Sequence, residues 1–106
     1  MFENEQNQNA LDPPPIAHSD SRAAEVLRVW ISPGQSQQLT LKSTWKDSAA
    51  WGLLLVDVAR HVAEAYALQG QDRGAVLARI KASFDAEWSS PTDTPTSVSP
   101  RSHPTL

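Results

Sequence analysis

The sequence predicts an α+β fold in which a β-hairpin packs on two helices, in the order strand, strand, helix, helix. Three observations carry this reading. The run Ala24–Ile31, rich in β-branched and aromatic residues, is followed by a turn signal and then by the strictly alternating Gln38-Leu39-Thr40-Leu41-Lys42, which together are the pattern of a hairpin. Apolar residues recur every three or four positions from Trp51 to Tyr66, and again at Leu77, Ile80, Phe84 and Trp88, the spacing of two amphipathic helices. Strands grouped before helices define the α+β class rather than an alternating α/β sheet.

The elements follow in chain order. Residues 1–21 hold Glu3, Glu5, Asp12 and Asp20 without a Lys or Arg, and include Pro13-Pro14-Pro15. Successive prolines favour extended polyproline II backbone, so an extended, disordered acidic arm is expected there. The strands are expected at about 24–32 and 37–43, joined through Ser32-Pro33-Gly34-Gln35-Ser36. Pairing Val29 with Leu39 sets Arg28 opposite Thr40, whereas pairing Val29 with Leu41 sets Arg28 opposite Lys42, an unfavourable like-charge pair. The first register is expected, with a three-residue loop, although Gly34 is not at the usual bulge position. It places Leu27, Val29, Ile31, Leu39 and Leu41 on the buried face and Val26, Arg28 and Trp30 on the outer one.

A first helix is expected over about 47–69, capped by Asp47 or by Thr44, with Trp51, Leu54, Leu55, Val58, Val62, Ala65 and Tyr66 as its core stripe. Gly70 ends it. Asp72 caps a second helix over about 73–89, stopped by Ser89-Ser90-Pro91. Residues 89–106 carry Pro91, Pro95, Pro100 and Pro104 among nine Ser and Thr, and read as a disordered tail. Residues 22–88 are the expected domain.

Composition excludes several classes. There is no cysteine, hence no disulfide, thiol nucleophile or zinc ribbon. The net charge of −3 belongs to the arm, and the body is near neutral, so electrostatic nucleic-acid binding is not expected. The longest apolar run, Trp51–Val56, is too short for a membrane span. The first residues are polar and acidic rather than a leader, and the expected setting is cytoplasmic.

The chemical candidates are few. Asp57, Arg60, His61 and Glu64 share a helix face at i,i+3 and i,i+4 spacing. Asp57, His61 and Glu64 could ligate a metal, or His61 could act as a base oriented by Asp57; the same spacing also describes a solvated face of mutual ion pairs, and that reading is preferred. Arg22, Arg28, Lys42 and Lys46, with Trp30 and Trp45, form a basic and aromatic set that would suit single-stranded nucleic acid. Gly70-Gln71-Asp72-Arg73-Gly74 lacks the Gly-Lys-Ser/Thr ending of a phosphate loop, and no serine sits in a nucleophile elbow. No catalytic residue, cofactor or metal is expected.

The tryptophans say more. Trp51 and Trp88 fall on helix stripes and are expected in the core. Trp30 shares the outer sheet face with Val26, and Trp45 fits no period. Val26, Trp30 and Trp45 are therefore the interface candidates. Fewer than 70 residues, with no staple and two open strand edges, make a marginal core. The expected function is a non-catalytic, self-associating interaction module, a homodimer that completes the fold, with an unidentified protein partner as the variant. The alternatives are a weak nucleic-acid binder through Arg28 and Lys42, and a helix-borne metal site.

The runs Glu25-Val-Leu-Arg28-Val-Trp30-Ile31, Trp51-Gly52-x-Leu54-Leu55-x-Asp57-x-Ala59-Arg60-His61-Val62-Ala63 and Phe84-Asp85-x-Glu87-Trp88 resemble a small bacterial family of domains of unknown function. The likeness spans roughly residues 11–92. It implies these domain limits and a bacterial cytoplasmic setting, and it supplies no activity, cofactor or catalytic residue.

Overall fold

The computed structural model describes residues 8–92. Within them lie a helical turn α1 (Ile16–Ser19), strands β1 (Leu27–Trp30) and β2 (Gln38–Leu41), and helices α2 (Ala49–Leu68) and α3 (Arg73–Ser89). The class is α+β. The chain divides into two compact units, Met1–Leu41 and Lys42–Leu106.

In the first unit, the arm is not extended throughout: Pro14 and Pro15 offer carbonyls to the N–H groups of Ala17, His18 and Ser19. A proline ring holds φ near its helical value and lacks an N–H that a first turn leaves unused anyway, so the triple proline launches a turn of helix. Arg22 then bonds Asp20 through its backbone N–H and its guanidinium. The two Arg22 contacts hold the Asp20 carboxyl below the usual carboxylate range, the side-chain bond contributing most.

The strands pair antiparallel as Leu27↔Leu41, Arg28↔Thr40, Val29↔Leu39 and Trp30↔Gln38, the register that keeps Arg28 away from Lys42. Both are shorter than expected, and the connection is longer. The Gln35 N–H bonds the Ser32 carbonyl across Pro33 and Gly34, with Gly34 at φ 77°. Pro at the second position and a positive-φ Gly at the third define a type II turn. That explains a glycine misplaced for a bulge: it serves a turn at the tip of a wide loop, and the ladder ends at Trp30 and Gln38.

In the second unit, Thr44 has φ 65° and the Trp45 N–H reaches the Ser43 carbonyl at 2.6 Å, a γ-turn of the rarer, positive-φ form. The same carbonyl accepts the Trp51 indole N–H at 2.8 Å. Asp47 accepts the Ala49 N–H and so satisfies a donor of the first turn of α2. The helix closes at Gly70, φ 99°, with the Gln71 N–H on the Tyr66 carbonyl and the Gly70 N–H on Ala67, a Schellman motif. Asp72 caps α3 by accepting from the Ala75 N–H. Ser89 is the last residue of α3, and Thr92 donates to Glu87 through its N–H and hydroxyl. The remaining arm and tail expectations lie outside the described residues.

The helix pair corrects the expected core. Ala63, 1% exposed, is the one buried hydrophobic among the described residues. It lies in a row with the half-buried Ala59 and Ala67, one turn apart on the same side of α2, while Val76, Leu77 and Ile80 are half-buried on α3. Small side chains let helix backbones approach closely, so the seam follows the alanines. The large stripe beside it divides: Trp51 and Leu54 are half-buried, as are Leu77 and Ile80, whereas Leu55, Val58, Val62 and Tyr66 are exposed, and so are Phe84 and Trp88. Trp88, expected in the core, is 74% exposed and stacks on Phe84 with ring centroids 5.6 Å apart.

Candidate interaction surface

The polar face of α2 divides. His61 Nδ1 lies 2.8 Å from the Asp57 carbonyl oxygen. A carbonyl only accepts, so Nδ1 carries the proton and donates. The Asp57 carboxylate is 3.6 Å away, and both side chains are largely exposed. Glu64 turns from His61 and accepts from Arg73 Nε at 2.6 Å, joining α2 to α3 next to the Gly70 turn. That hydrogen bond, with the guanidinium charge behind it, holds the Glu64 carboxyl below and the Arg73 guanidinium above their ordinary values. Arg60 is exposed and makes no ion pair among the described residues. No cluster of three metal-ligating side chains forms among the described residues; Asp57, His61 and Glu64 share a face without converging on a point. The Glu64–Arg73 pair, nine residues apart, was not readable from helical spacing.

The basic set is partly neutralised. Arg28 bonds Glu25 through Nε and Nη2, and Arg22 is taken by Asp20. Lys42 and Lys46 make no ion pair among the described residues.

The apolar candidates are redistributed. On the hairpin, Val26 and Trp30 are half-buried, whereas Val29, Ile31 and Leu39 are the exposed side chains, Ile31 at 81%. Leu27 and Leu41, on the same face as Val29, Ile31 and Leu39, are half-buried, so each face of the hairpin carries half-buried and exposed positions. Trp45 packs edge-on against Trp51, with centroids 5.6 Å apart and planes at 76°, a favourable aromatic geometry that no periodicity announces. In the helix pair, two open grooves run along α3. One is walled by Gly52, Leu55, Val56 and Leu77, the other by Val62, Tyr66 and Val76. Both share Ile80, Phe84 and Trp88. Arg60, Lys81 and Asp85 border the first, Arg79 and Glu87 the second. No helix among the described residues is long and apolar enough to cross a membrane.

A small α+β domain whose helix pair and hairpin both present large apolar side chains is defined more by surfaces than by a cleft. The chain belongs to the family described as Domain of unknown function (DUF5076), whose model matches residues 10–92. It is also similar to a solved structure, described as that of "a putative pyruvate dehydrogenase from the photosynthetic bacterium Rhodopseudomonas palustrus CGA009". The two share 36% identity over 88% of this chain and 97% of that one, with a TM-score of 0.71. No curated protein matches.

Proposed function

We propose that this chain is a non-catalytic, self-associating module of the bacterial cytoplasm whose fold is completed by a second copy. One observation carries the reading: among the described residues a single alanine is buried, while Val29, Ile31 and Leu39 on the hairpin and a longer series on the helices are exposed. Burial of apolar surface is the main favourable term in folding, at about 25 cal/mol per Å². A core of that size leaves the ordering entropy of the backbone without an adequate counterweight. Obligate dimers resolve this by sharing a core between copies. On the hairpin, Val26 and Trp30 are candidate contacts; Trp45, 41% exposed, is the candidate ahead of α2. Sedimentation equilibrium of the full chain at micromolar concentration tests the reading. The expected mass is that of a dimer, and a monomer would overturn it.

The name of the structural neighbour favours a second reading, an enzyme of pyruvate oxidation. Such chemistry needs an electron-sink cofactor held and oriented by the protein. The polar face offers little for that: His61 is bonded to its own helix and Glu64 is committed to Arg73. No pyruvate oxidation is expected when the chain is given thiamine diphosphate, magnesium and NAD, and turnover in that assay would favour the enzyme.

A further inference from the structure

The reading above leaves open which face the second copy covers. We propose that it is the helix face: Leu55, Val58, Val62 and Tyr66 of α2 with Phe84 and Trp88 of α3, laid against the same six residues of a second chain around a two-fold axis. The inference rests on self-association and adds its location.

Sequence pattern is the first argument. These residues belong to the stripe that helical periodicity marks as a core face; its members Trp51, Leu54, Leu77 and Ile80 are half-buried, while these six are left open. A stripe patterned for burial and left open within its own chain is half of a core. Area is the second. Exposures of 44, 43, 38, 42, 46 and 74% for the six residues in the order named, with an aromatic side chain offering roughly 150–250 Å² in all, leave on the order of a few hundred Å² open. A standard interface takes roughly 800 Å² per partner, so a ring of neighbouring atoms completes it. Charge is the third. The rim carries both signs, Arg60 and Arg79 beside Glu87, which also accepts from Thr92, while Lys81 and Asp85 are paired with each other at 2.7 Å. A two-fold contact places each part of a patch against another part of the same patch, and a mixed rim can pair with itself as a one-signed rim could not. Two antiparallel helix pairs then form a four-helix layer.

The test is sedimentation equilibrium of full-length Leu55→Glu and Trp88→Glu beside the hairpin variant Ile31→Glu. Both helix variants are expected to weaken the dimer at least 100-fold, and Ile31→Glu to leave it within threefold of wild type. Dissociation by Ile31→Glu with intact dimers of Leu55→Glu and Trp88→Glu would overturn the helix face while leaving self-association standing. A monomeric wild type would overturn both. Because charged variants can also unfold a chain, a milder probe accompanies them. Val58→Cys would be the only thiol of this sequence, and its reaction with a thiol reagent is expected to slow at least tenfold between dilute and concentrated protein. A concentration-independent rate would overturn the proposal.

Discussion

Thr44 is where a single residue holds the backbone against its own preference. A β-branched side chain at φ 65° is a strained choice, held by the Thr44 hydroxyl on the Lys42 carbonyl and by the Trp51 indole on Ser43. Thr44→Gly removes the strain and one exposed hydrogen bond, and a stabilisation of about 0.5–1 kcal/mol is expected in urea denaturation. Gly70 is the opposite case. Its φ of 99° suits glycine, and a Cβ there would meet nothing within 4 Å, so Gly70→Ala isolates the backbone cost. A loss of about 1–2 kcal/mol is expected; an unchanged midpoint would show that the Schellman turn can re-form without it.

Glu64 gives a pH-dependent expectation at the same scale. Arg73 lowers its folded-state pKa, so the stabilisation is present above the carboxyl's unfolded value and is lost as pH falls through the folded one. Glu64→Gln should therefore melt below wild type at neutral pH, and the gap should close in acid. It should also shrink in high salt, because both partners are exposed. A gap that persisted in acid would assign the difference to packing.

At the scale of elements, what the sequence discloses depends on the signal. Helix limits were legible because Asp72, Gly70 and the Ser89-Ser90-Pro91 stop are local chemistry. The strand register was legible because one alternative opposed Arg28 to Lys42. The wide loop was not: the type II turn satisfies Pro33 and Gly34 locally, and the ladder ends where that turn begins. The helical turn at Ile16–Ser19 was also missed, because a triple proline reads as extended although its last member also suits a first helical turn. The seam of α2 was missed for a different reason. A hydrophobic stripe is read by its largest side chains, whereas closest approach belongs to its smallest, so Ala59, Ala63 and Ala67 were passed over in favour of Val58, Val62 and Tyr66. Ala63→Leu tests the seam: at 1% exposure the added methylenes have no room, and overpacking should cost about 1–3 kcal/mol. Ala65→Leu, on an exposed position of the same helix, should cost much less.

For the whole molecule, a core shared between two copies, as proposed, would make folding and association one equilibrium. Mass action then makes stability depend on protein concentration, since the unfolded state is two chains and the folded state one particle. Each tenfold rise in concentration adds about 1.4 kcal/mol per dimer, which for a particle of this size corresponds to roughly 3–6 °C in Tm. Scanning calorimetry or circular dichroism melts over two decades of concentration should show that slope. Wild-type melts at one temperature throughout would mean that the chain completes its core alone. Salt separates the forces at the contact: if it is apolar, sulfate should raise Tm at every concentration; if the rim charges hold it, sodium chloride should lower Tm by screening them. The exposure of Leu55, Tyr66, Phe84 and Trp88 argues for the first outcome, with the effect of sulfate reduced in Trp88→Glu, where the largest open side chain of the proposed face is replaced by a charge.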